Sequence, residues 1–113
     1  KMKKKILKKK YDLIYFGSSV QYQKDFYKKI KNFDKAKFIL ITHTPFSMDK
    51  DYVSRQTNHA NLKQNVYSLS KLILHFKKRN FKLIFKSRND DKYIACKNKK
   101  FKTYSLNLLF KNE

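Results

Sequence analysis

Apolar positions along the chain alternate between short continuous runs and stretches of helical spacing. The first run, Tyr11-Asp12-Leu13-Ile14-Tyr15-Phe16, is rich in aromatic and branched residues and stops at Gly17-Ser18-Ser19. That is the pattern of a strand buried on both faces. Over Asp25 to Phe33, residues Phe26, Tyr27, Ile30 and Phe33 recur at helical spacing with lysines opposite, which predicts a short amphipathic helix. Phe38-Ile39-Leu40-Ile41 repeats the buried-strand pattern, and Thr42-His43-Thr44-Pro45 is expected to end it, because proline cannot donate to a sheet ladder. Strand, helix and strand imply two parallel neighbours joined by a right-handed crossover. Ligands of such open sheets lie beyond the carboxyl ends of the strands, here Gly17 to Tyr22 and Thr42 to Phe46.

Ser47 to Asn65 shows no sustained period and reads as a long loop of the kind that forms lids or binding surfaces. It holds Asp49, Asp51, Tyr52, Arg55, Gln56, Asn58 and His59, the densest mixture of functional groups in the chain. Helical spacing returns at Leu69, Leu72, Ile73 and Phe76, with Ser68 as N-cap, Lys77-Lys78-Arg79 at the favourable end and Asn80 as the stop. Phe81 to Phe85 and Tyr93 to Cys96 read as strands separated by a turn at Ser87 to Asp91. After a further turn at Asn98 to Lys100, Tyr104 to Phe110 alternates weakly and reads as a final edge strand. The expectation is an α/β chain: β-α-β, a loop, a helix, then three strands in an antiparallel meander. Residues 1–10 form a basic N-terminal segment with too little apolar surface to fix a structure, and 11–113 a single domain.

Composition supports a globular chain, since 41% of its 113 residues are hydrophobic and 16% aromatic, too much apolar surface to leave in water. No stretch approaches ~20 apolar residues, so no membrane span is expected, and no apolar run follows Lys1 to Lys10 that could form the core of a secretory signal. The lone cysteine, Cys96, cannot close an internal disulfide and fits a reducing cytoplasm.

The formal charge of +21 has two readings. One is a nucleic-acid or anionic partner, reached by counterion release. The other is compositional drift. Arg55, Arg79 and Arg88 are the only arginines among 29 basic residues, although arginine is the side chain suited to bidentate phosphate contacts. Lysine, asparagine, phenylalanine, tyrosine and isoleucine are abundant together, as AT-rich coding would make them. The lysines are also spread along the chain, which reads as a solvated coat.

Gly17 is the only glycine, which rules out a glycine-rich phosphate loop. His43, His59, His75 and Cys96 lack metal-ligand spacing, so no metal is expected. Cys96, in an apolar run, reads as a small core residue rather than a nucleophile. His43 follows the second strand where a substrate group could lie, and an ordinary histidine pKa near ~6.5 suits proton transfer. Its plainer reading is a polar strand-end residue bonded to nearby backbone. Ser18 and Ser19 lack the setting of a nucleophile elbow and read as turn residues.

The segment Tyr11 to Tyr22, the following Asp25-Phe26-Tyr27, the Thr44-Pro45-Phe46 that closes the second strand, and Val53-Ser54-Arg55-Gln56 resemble a poorly characterised family of class I S-adenosylmethionine-dependent methyltransferases often linked with surface-polysaccharide gene clusters. The resemblance spans Tyr11 to about Lys86 and implies the C-terminal half of such an enzyme. The sheet would then be a partial Rossmann-like one, strands four to seven, with the seventh antiparallel. It further implies that the donor's main contacts, a glycine-rich loop and an acidic residue after earlier strands, lie outside this chain, which would be inactive alone. Gly17, Ser18, Ser19, Gln21 and Tyr22 would lie near the S-adenosylmethionine, and Thr44, Arg55 and Gln56 toward a small-molecule or saccharide acceptor. The family tends to carry an acidic residue and an arginine before Thr-Pro, and this chain departs from that pattern with Thr42 and His43; His43 is the catalytic candidate on its place at the strand end alone. The alternative reading is a small basic protein that binds RNA or a ribonucleoprotein, with lysines on phosphates and tyrosines stacking on bases.

Overall fold

The computed structural model describes residues 11–56, 59–90 and 101–113, with the backbone alone at 11, 55, 56 and 59–62. The expected β-α-β unit is present. Strand β1 (Tyr11–Gly17) leads through a 3-10 turn at Val20–Tyr22 to helix α1 (Phe26–Lys29), which tightens into a second 3-10 turn at Ile30–Phe33 and returns as β2 (Ala36–Ser47). β1 and β2 are parallel, with Leu13 opposite Phe38 and Gly17 opposite Thr42.

Four elements depart from the expectations. β2 does not end before Pro45 but runs on to Ser47. The missing N–H is tolerated because Pro45 has Ser105 opposite on one side, whereas on the other β1 stops at Thr42 and the next strand begins only at Phe46. The polar stretch expected to be a loop is a hairpin, β3 (Tyr52–Gln56) and β4 (His59–Ser68), whose outer pairs are polar on both strands and so leave no alternation to read. The last strand, β6 (Thr103–Asn112), is not an edge: it lies between β2 and β5 (Phe81–Arg88), antiparallel to both. Leu106, Leu108 and Phe110 face the core while Leu109 faces the other way, the two-sided apolar pattern of an interior strand. The helix expected over Asp25 to Phe33 is one α turn continued as 3-10, with Asp25 in the left-handed region at φ 53°. The strand expected at Tyr93 to Cys96 and the turn at Asn98 to Lys100 lie outside the described residues.

The described strands form one mixed sheet of six, ordered β3-β4-β2-β6-β5, with β1 beside the first half of β2 on the edge that β4 joins further along. Helix α2 (Leu69–Lys78) follows β4 directly. Ser68 is its N-cap and accepts from Lys71 N–H at 3.4 Å, and Asn80, at φ 67°, ends the turn as the sequence suggested. Ser68→Ala is expected to lower stability by about 1 kcal/mol in urea denaturation, and Ser68→Thr to retain most of it.

The helices share one face of the sheet. Val20, Phe26, Ile30, Leu69, Leu72 and Phe76 pack on Ile39, Ile41, Leu106, Leu108 and Phe110, with Ile14 and Phe16 at the margin. The opposite face carries a row that crosses four strands in register, Tyr15, Leu40, Leu109 and Phe85. Tyr15 is 59% exposed and Phe85 55%, and neighbouring Leu13 is 50% exposed. Among the described residues no helix covers this face, and β1 pairs with β2 alone.

Candidate functional site

The carboxyl ends of β1 and β2 meet, as the strand-helix-strand reading implied. Ser18 N–H donates to the Thr42 carbonyl at 2.9 Å, and the Tyr15 hydroxyl shares a hydrogen bond with Thr42 Oγ1 at 2.8 Å. The Tyr15 ring lies over Gly17: a Cβ there would stand 2.7 Å from its hydroxyl oxygen, so a side chain at 17 would push Tyr15 off Thr42. Both turns contain a non-glycine residue in the left-handed region, Ser18 at φ 53° and His43 at φ 48°. Each such conformation costs about 1–3 kcal/mol and persists only where surrounding contacts enforce it. For Ser18 the contacts are the Thr42 carbonyl and Gln21, whose Nε2 donates to Ser18 Oγ at 3.1 Å. His43 occupies the bulge where the β2–β6 register shifts between Ile41 and Thr44, and its N–H donates to Asn107 Oδ1 at 3.0 Å.

Of the residues assigned to a donor, Gly17 and Ser18 are exposed and Ser19 is half-buried. Gln21 is turned inward, 3% exposed, with Oε1 lacking a hydrogen-bond partner among the described residues. Its demonstrable role is to hold Ser18. The Tyr22 hydroxyl accepts from Gln64 Nε2 at 3.1 Å. Of the residues assigned to an acceptor, Thr44 is fully buried and its hydroxyl donates to the Thr42 carbonyl at 3.0 Å, so its side chain shapes the bulge. Arg55 and Gln56 stand at the far end of β3, with Arg55 opposite Lys63 and Gln56 opposite His59. The structure therefore joins Gly17, Ser18, Ser19 and His43 at one rim and sets Arg55 and Gln56 along the hairpin.

Two polar groupings were not legible from the sequence. Asn107 Nδ2 donates to Ser87 Oγ at 3.0 Å and to Asn89 Oδ1 at 2.7 Å, so one asparagine amide ties β5 and β6 to the His43 bulge. Asn107 within β6 and Asn89 just past β5 are 18 residues apart, and such a pairing leaves no periodic signal. The second grouping surrounds Asp51, which the sequence placed only in a polar stretch. Asp51 Oδ1 accepts from the Tyr27 hydroxyl and from Ser68 N–H, both at 2.6 Å, and Oδ2 accepts from Lys71 Nζ at 3.3 Å. Burial works to raise the Asp51 carboxyl, but these three donors outweigh it and hold it below the ordinary range. Tyr27 is pushed far above an ordinary phenol, by burial first and then by its bond to Asp51. His75 stacks on Tyr27 with ring centroids 4.5 Å apart and planes at 14°. Its imidazole is lowered by burial and by Lys78 and Lys71, against the pull of Asp51.

No protein-family model matches the chain, and no curated protein matches it. Among the described residues no group of three or more histidine, cysteine or acidic side chains is placed to hold a metal ion, and no helix is long and apolar enough to cross a membrane.

Proposed function

We propose that this chain is the C-terminal part of a class I S-adenosylmethionine-dependent methyltransferase domain. The observation that carries the reading is the rim where two parallel strands end together, with Ser18 and His43 each held in the left-handed region beside the Thr42 carbonyl. Parallel open sheets bind ligands at this place, and strain maintained against its cost favours a role beyond packing. The antiparallel last strand is what the resemblance implies for strand seven. The apolar face and the edge of β1 that no described residue covers or pairs add support, because parallel sheets are stable when both faces are covered and unpaired edges invite pairing.

In this reading Gly17, Ser18 and Ser19 present backbone and hydroxyl groups to one side of the donor, and the residues that bind it most strongly belong to the covering half. Gln21 and Thr44 act through the turns they brace. The bound donor supplies an electrophilic methyl group; the chain's own contribution is to position an acceptor, and His43, exposed at the rim, is the candidate to take its proton.

Calorimetric titration of S-adenosylmethionine into this chain, and into the chain extended by any residues encoded in frame upstream, tests the reading. Binding by the extended form, with little or none by residues 1–113 alone, is the expected result. Failure of both, or a stop codon directly upstream, removes the assignment.

A further inference from the structure

The helical layer carries a cleft of about 430 Å³ between α1 with its 3-10 continuation and α2. It is lined by Tyr27, Lys28, Ile30, Lys31, His75, Lys78 and Arg79, with no carboxylate among the described residues of the lining. Lys28 and Lys31 stand three residues apart on one wall and Lys78 stands on the other, so lysines line both sides of the gap. Two acids bonded to residues of the lining are already engaged: Asp34 accepts from Arg79 Nε at 3.0 Å and also from Nη2, and Asp51 is held by Tyr27, Ser68 and Lys71. Lys28, Lys31 and Lys78 have no ion pair among the described residues. Three like charges around one concavity repel one another, a cost that a multiply charged anion removes.

The floor of the cleft is aromatic and apolar, formed by Ile30 and the Tyr27–His75 stack. The volume is in the range of small-ligand sites. Lysines bind phosphate as point charges, and a stacked ring pair offers a platform for a base. We propose that the α1–α2 cleft binds phosphate groups carried on a nucleotide or a single-stranded nucleic acid, with Lys28, Lys31 and Lys78 as the charge contacts and His75 at the floor. This site is independent of the methyltransferase reading and stands or falls by itself.

The test pairs two probes with two variants of equal charge change. Fluorescence anisotropy of a labelled oligouridylate is measured across a salt series for the native chain, for K28Q/K31Q/K78Q, and for K82Q/K86Q/K111Q, which removes three exposed lysines from β5 and β6. The cleft variant is expected to lose about tenfold or more in affinity and to flatten the logarithmic salt slope by about 2. The control variant should change by less than about threefold. Equal losses in both variants would mean a coat-wide attraction and overturn the site, as would no binding by the native chain. Inorganic pyrophosphate as competitor distinguishes the source of the phosphate: displacement at low concentration points to a free nucleotide, and resistance to it points to a nucleic-acid backbone.

The His75 imidazole gives a second readout. Lys71 and Lys78 on its own helix with Arg79 just past its end, Tyr27 and Asp51 across from it, and Lys28 and Lys31 on the far wall are the charged and titratable groups around it. A bound anion opposes the lysines, so the His75 pKa followed by NMR should rise on saturation with either probe. An unchanged titration under saturating probe would place the anion elsewhere and overturn the proposal. All six substituted lysines are exposed, so both variants should keep the native circular dichroism.

Discussion

Phe76→Ala should lower the stability of this protein by about 3–5 kcal/mol, the range for truncating a buried aromatic. The ring is fully buried and stacks on Phe110 with centroids 4.2 Å apart. It also meets Phe81 edge-on at 5.7 Å and Phe26 at 6.5 Å, so one side chain joins α2 to β6, β5 and α1. Because these neighbours belong to three other elements, they cannot close on the vacancy together, and the cavity term adds to the lost burial. Small domains hold only about 5–15 kcal/mol in total, so a large fraction of the margin goes with this ring. Urea denaturation followed by near-ultraviolet circular dichroism should show a lower midpoint at nearly constant slope. Phe76→Leu, which keeps most of the volume, should cost roughly 1.5 kcal/mol or less. A loss below about 1 kcal/mol for the alanine variant would contradict the packing described.

The second large effect is at Asp51. Removing its side chain as Asp51→Ala strips an acceptor from the Tyr27 hydroxyl, from the N-cap amide of α2 at Ser68 and from Lys71 at once. Hydrogen bonds to an ionised group contribute about 1.5–3 kcal/mol each where they are protected. Tyr27 and Lys71 retain access to water here, so the expected total is roughly 2–3 kcal/mol. Asp51→Asn keeps an oxygen for Tyr27 and Ser68 while losing the charge, and should fall between the native protein and the alanine variant. The pH dependence has a definite sign. The folded Asp51 carboxyl lies below its ordinary value of 3.8, so the unfolded chain takes up its proton first. Its contribution is therefore fully present above the unfolded value and is lost as pH falls through the lower folded one. Both variants should flatten the acid limb of a stability–pH curve below about pH 4. An unchanged acid limb in Asp51→Asn would show that the carboxylate is not held as described.

What could be read in advance follows the strength of each local signal. β1, the core of β2, and α2 with Ser68 and Asn80 at its ends were legible because burial on one face or two imposes a period, and because caps use few residue types. The β3–β4 hairpin was not, since pairs such as Ser54 with Gln64 and Arg55 with Lys63 join polar residues through backbone groups that every residue owns. Pro45 misled for the opposite reason: its rule is local, and what excuses it is a gap between two other strands. At the rim, the position of His43 beside the end of β1 followed from strand order, whereas the bulge that sets its backbone depends on Asn107, 64 residues away. Asp51 and Tyr27, 24 residues apart, are joined by a hydrogen bond that composition could not foretell. Gln21 and Thr44 were assigned outward roles from motif position, but burial is a property of the neighbours that cover a residue.

The hairpin is anchored unevenly. Two residue pairs, Phe46 with Tyr67 and Ser47 with Ser68, tie β4 to the sheet. Three side chains of the same strand reach the other way: Gln64 to the Tyr22 hydroxyl, Asn65 to the Gln23 carbonyl, and Tyr67 to Gln23 and to the Phe26 N–H. Mechanically β3–β4 is a cantilever whose fulcrum is at Tyr67 and Ser68 and whose free arm rests on the segment after β1. Gln64, Asn65 and Tyr67 therefore couple the hairpin to the segment that follows Ser18 without passing through the sheet.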